Sequence, residues 1–65
     1  MSKFIQVEYG GDRILLNVDD IVAISEGWLD EDMPINKILL RSGEKAVTTT
    51  KYDYIVRRIK EAEKE

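Results

Sequence analysis

The side chains able to do chemistry in this 65-residue chain are carboxylates, hydroxyls and lysines, because it contains neither histidine nor cysteine. A neutral-pH general base, a thiolate nucleophile and a soft metal ligand are thereby missing, so the expectation is a protein that is no enzyme and carries no cofactor. Asp30, Glu31 and Asp32 form the densest acidic run. They lack the alternating ligand spacing and central glycine of a calcium loop, and read as a solvated loop rather than a metal site. Asp19 and Asp20 are neighbours in a turn-rich stretch, where such side chains serve as local backbone acceptors. Thr48, Thr49 and Thr50 offer three hydroxyls, but threonine is also the ordinary residue of a strand and of a helix N-cap. Gly10 and Gly11 are not followed by the lysine, hydroxyl and helix that a phosphate-cradling loop needs, which leaves a hairpin turn.

The anomaly is Trp28 with Leu29 and Met33: three large apolar side chains in a stretch that is otherwise acidic and bounded by Gly27 and Pro34. Two accounts fit. Trp28 folds back over the open end of a thin core, or it anchors a partner, since tryptophan is enriched where binding energy concentrates and methionine suits adaptable surfaces. On the second account Trp28, Leu29 and Met33 are the partner-binding residues. Tyr52 falls on the apolar stripe of a C-terminal helix and reads as core or core rim, whereas Tyr54 lies off it.

Thirteen acidic against ten basic residues give a net charge of −3, which does not build the electropositive field that a phosphate backbone requires. Charge therefore argues against nucleic acid as a partner. The longest wholly apolar run, residues 21–24, is far too short to span a bilayer, and Met1, Ser2 and Lys3 are not followed by a signal-type stretch. A cytoplasmic protein without membrane contact is expected. A chain of this length buries only about 60% of its unfolded surface, so its stability is marginal without disulfides, metal or a partner subunit. With the first two lacking ligands, self-association becomes the expected additional support.

Those residues are positioned by a simple alternation of elements. Ile5, Val7 and Tyr9 alternate with polar residues, and Ile14, Leu16 and Val18 repeat the pattern after the glycine pair, which predicts strands over 3–9 and 13–18. A two-residue glycine turn sets Val7 opposite Ile14, Ile5 opposite Leu16 and Glu8 opposite Arg13. A turn at Asn17, Asp19 and Asp20 leads to a third strand over 21–26, whose apolar run suggests a central strand covered on both faces. Residues 27–34 read as an acidic loop. A second hairpin spans 35–41 and 45–50 around Ser42 and Gly43, with Val47 opposite Ile38 or Leu39 according to loop length. Thr50 and Asp53 resemble a capping box, and Tyr52, Ile55, Val56, Ile59 and Ala62 make one stripe of a helix over 51–62. Arg57 and Glu61 support its outer face, and the residues from Glu61 onward are expected to fray.

The run from Ile14 to Ile24, the stretch from Leu39 to Lys45 and the terminal helix together resemble the small flagellar and swarming-motility proteins of bacteria. That resemblance sets Asn17 and Asp19 between two strands and Gly43 in a later turn, and implies a bacterial, motility-linked role. Asp20 to Ile24 is also similar to a strand of the DNA-binding domain of LytTR-type transcription regulators, which implies nucleic-acid binding as the alternative. Those domains offer basic loops to the major groove, whereas the corresponding loop here holds Asp30, Glu31 and Asp32.

The fold class expected is α+β: one domain over 1–65 with a five-stranded antiparallel meander, open or closing towards a small barrel, covered by one C-terminal helix. The function expected is a non-catalytic protein-interaction or regulatory module, in contact with another protein or with a second copy of itself as a homodimer.

Overall fold

The computed structural model describes residues 3–64. Five strands and a helix follow in the order β1 (Phe4–Tyr9), β2 (Asp12–Asn17), a 3-10 turn (Val18–Asp20), β3 (Ile21–Asp30), β4 (Met33–Leu40), β5 (Lys45–Thr48) and α1 (Tyr52–Lys64). The class is α+β, but the strands divide into two antiparallel sheets, β1-β2 and β3-β4-β5, rather than one meander. No barrel closes among the described residues. The sheets meet at Glu8, whose carbonyl accepts from the Thr49 amide at 2.9 Å and whose amide donates to the Thr50 hydroxyl at 2.9 Å.

The first hairpin forms in the register its sequence dictates, with Ile5 opposite Leu16, Val7 opposite Ile14 and Glu8 opposite Arg13. Gly10 and Gly11 hold φ of +57° and +88°, the two positive angles that a type I′ turn demands and that match the twist of the flanking strands. The side chain of Asn17 then accepts from the Asp19 amide at 3.0 Å and opens the 3-10 turn, so Asn17, Asp19 and Asp20 form the turn their types suggest. Arg41 fastens that turn to the far end of β4: its amide donates to the Asp20 carbonyl and its guanidinium to the Asp19 carbonyl.

The central strand is β4, between β3 and β5, and not the segment around residues 21–24. β4 buries Ile38 on one face and Ile35 on the other, whereas Val22 and Ala23 of β3 are exposed. A bulge at Val22 explains the misleading apolar run. Ile21 lies opposite Leu40 and Ile24 opposite Ile38, so the extra residue lets two isoleucines three apart face one core.

The second hairpin adopts neither pairing expected of it; Val47 stands opposite Lys37 and Ala46 opposite Ile38. Its loop holds three residues, because the Leu40 amide donates to the Glu44 carbonyl and the Gly43 amide to the Leu40 carbonyl, both at 2.9 Å. Gly43 takes the positive φ of +96° that such a glycine bulge requires.

The core gathers Ile5, Val7, Leu16, Ile38 and Ile55, with Ile14, Ile21, Ile24, Leu40, Ala46 and Ile59 packed against it. Ile55 is the helix residue at its centre, and Val56, Ile59 and Ala62 are half-buried beside it. Tyr52, expected on the same stripe, is instead exposed. The first helical bond runs from the Ile55 amide to the Lys51 carbonyl, so Lys51 and not Thr50 stands at the helix start. The Thr50 hydroxyl instead accepts from the Glu8 amide of β1. The helix continues through Lys64 across residues expected to fray; Glu65, the last of that stretch, lies outside the described residues, as do Met1 and Ser2. On its outer face Glu61 pairs with Arg58 at 3.4 Å, and Arg57 stacks over the Tyr54 ring at 5.7 Å.

Candidate functional site

Residues 27–34 are not a loop. β3 and β4 run on past the core as one hairpin arm, closed only by Glu31 and Asp32. The Asp30 carboxylate accepts from the Asp32 amide at 2.9 Å and fixes the turn. Neither turn residue has positive φ, so the turn is not of the primed kind that continues strand twist, and a second bulge beside Leu29 absorbs the mismatch. Two residues that read as breakers are strand residues here. Gly27 pairs with Ile35 at a negative φ, and Pro34 sits where β4 has an open side, since β5 pairs with β4 only from Asn36 onward.

This arm carries all three sequence-predicted contact residues into solvent: Trp28 is 66% exposed, Leu29 52% and Met33 41%. Trp28 therefore does not fold over the core. The register separates Trp28 from Met33 by face, however. Trp28 stands opposite Pro34, while Met33, the next residue along β4, points to the other side and stands opposite Asp30. The arm is thus apolar on both faces, with four carboxylates, Glu26, Asp30, Glu31 and Asp32, and no basic residue from Glu26 to Pro34.

On the Trp28 face, the base of the arm and the start of α1 enclose an open groove of ≈ 440 Å³, lined among others by Glu26, Trp28, Asn36, Lys51, Tyr52 and Asp53. Asn36 faces Glu26 across β3 and Thr48 across β5, and is buried. Its side-chain amide donates to the Thr50 carbonyl at 2.7 Å and braces the segment that leads into the helix. Its Oδ1 is buried with no hydrogen-bond partner among the described residues. Such an atom costs free energy comparable to a lost hydrogen bond, which marks it as the odd polar group of the fold.

Sequence reasoning missed this groove, because Glu26, Asn36, Tyr52 and Asp53 meet only once residues 27–34 are strand and Tyr52 is off the core. It also missed Phe4 and Leu15, exposed on the outer face of β1-β2. The signal for Leu15 was present: it breaks the alternation of Ile14 and Leu16 by placing an apolar side chain on the polar face.

The threonine hydroxyls hydrogen-bond within the fold. Thr48 donates to the Glu8 carbonyl and accepts from the Thr50 amide at 3.0 Å, so these hydroxyls join β5 to β1. Asp30, Glu31 and Asp32 lie at the arm tip, and among the described residues no group of three or more acidic, histidine or cysteine side chains is placed to hold a metal ion. No helix of the described residues is long and apolar enough to cross a membrane. No family model, curated protein or solved structure matches the chain.

Proposed function

We propose that the chain is a non-catalytic interaction module that works through protein contacts made by the β3–β4 arm. The observation that supports this reading most is the exposure of Trp28, Leu29 and Met33 on a two-stranded projection beyond the core. A large aromatic side chain left wet on a strand offers much apolar area to a partner and has few torsions to fix when it is covered, which is what a binding anchor needs. Nucleic acid does not suit this surface, since Glu26, Asp30, Glu31 and Asp32 would all meet phosphate with like charge. The reading keeps the resemblance to small motility proteins, which rests on Asn17, Asp19 and Gly43. A bacterial, cytoplasmic setting is proposed with that resemblance.

The test is affinity capture with the wild-type chain and with a variant carrying Trp28→Ser and Leu29→Ser, its fold checked by circular dichroism. A protein held by the wild type, lost by the variant and rebound by wild type after purification supports the reading. Equal retention by both would move the contact off the arm.

A further inference from the structure

The groove beside Trp28 has a chemical character that names its occupant more narrowly. Two aromatic side chains, Trp28 and Tyr52, and two exposed carboxylates, Glu26 and Asp53, line it together. Lys51 offsets one of those charges, and Asp30, Glu31 and Asp32 restore the negative balance further along the arm. Aromatic faces attract cations, and carboxylates accept paired N–H donors from a planar guanidinium. Both preferences point to one group.

We propose that the groove receives an arginine side chain from a basic, apolar segment of a partner protein, an inference that rests on the arm being the contact surface. The guanidinium lies against Trp28 or Tyr52 and donates to Glu26 and Asp53, while apolar neighbours of the arginine cover Trp28 and Leu29. Arginine suits the site better than lysine because its planar head is weakly hydrated and carries five donors.

Trp28 is the chain's one tryptophan, so its emission reports on the groove directly. The full chain is titrated, at about physiological ionic strength where long-range attraction is screened, with three capped ten-residue peptides that alternate leucine with arginine, glutamine or glutamate. The arginine peptide should shift Trp28 emission to the blue in a saturable way and bind at least about tenfold more tightly than the glutamine peptide, a difference of about 1.4 kcal/mol. A variant with Glu26→Gln and Asp53→Asn, both at exposed positions, should keep its fold and lose that preference. Equal binding of the arginine and glutamine peptides would overturn the inference and leave the arm as an apolar contact surface. A preference that survives in the variant would overturn it too, by placing the charge recognition at the arm tip. So would a blue shift that grows with protein concentration alone, which would give the groove to a second copy of the chain. Silence of Trp28 towards all three peptides would overturn it as well, and the capture experiment with Trp28→Ser and Leu29→Ser then decides the arm separately.

Discussion

Glycines that look alike in the sequence should respond in opposite ways to the same change. Gly27 has a negative φ, and a Cβ there would meet only Lys37 Cε at 3.8 Å, an ordinary contact. Gly27→Ala should therefore leave the melting temperature unchanged or raise it, by up to about 1 kcal/mol of unfolded-state entropy removed. Gly11→Ala meets no steric obstacle either, yet its φ of +88° makes any side chain there unfavourable, at a cost of about 1 to 2 kcal/mol. Denaturant melts of the two variants that moved in the same direction would refute this assignment of the turn and the strand. At Thr48 the hydroxyl is fully buried, donates to Glu8 and accepts from Thr50. Thr48→Val keeps the shape and removes both bonds, leaving the partners buried in part, so a loss of about 1 to 3 kcal/mol is expected in urea melts. A neutral result would mean that the Thr48 hydroxyl adds nothing to the junction that the Thr49 amide and the Glu8 carbonyl already make.

Among the elements, α1 depends on one residue more than on its stripe as a whole. Ile55 is 0% exposed at the centre of the core, while Ile59 is half-buried, so Ile55→Ala should cost about 2 to 5 kcal/mol and Ile59→Ala measurably less. Comparison of the two by thermal unfolding checks the helix placement, and the reverse order would overturn it. What could be read of these elements from the sequence follows how local their causes are. The first hairpin was legible to the exact register because two glycines and two alternating strands agree on it. The helix was legible through its apolar spacing, but not its start, since the group that occupies Thr50 is 42 residues away in β1. The arm was illegible because Gly27 and Pro34 have the types of breakers, and only the reach of β5 along β4 makes a proline acceptable there. The bulges at Val22 and Leu29 were hidden for a related reason: an inserted residue shifts the period-two pattern, so residues 21–24 look buried on two faces when they serve one. Of the candidate site, Trp28, Leu29 and Met33 were legible as misplaced apolar residues, whereas Asn36 and Tyr52 gain meaning only from the contact between sheet and helix.

The molecule as a whole is longer than its size requires. Its extents are 39 × 22 × 19 Å and its radius of gyration is 11.6 Å, against about 10.7 Å for a compact chain of this length. Its accessible surface of 4985 Å² likewise exceeds the roughly 4250 Å² usual for a compact monomer of this mass. An arm that adds surface to so small a domain weakens it unless something covers the arm. A second copy is one way to do so, through the arm or through the free edges of β2 and β3. If a homodimer supplies the cover, the melting temperature must fall as protomer concentration falls. Light scattering over the same dilution series reads the mass directly, and a monomer with a constant melting temperature throughout would exclude self-association as the support. The central claim is that Trp28 is wet in the free chain and becomes covered on binding, and its fluorescence tests this most directly. In the dilute monomer the emission should be red and readily quenched by iodide or acrylamide, then shift to the blue and lose quencher access when a partner binds. Emission already blue and shielded in a monomer at every dilution would put Trp28 in a dry core and contradict the exposed arm on which the account rests.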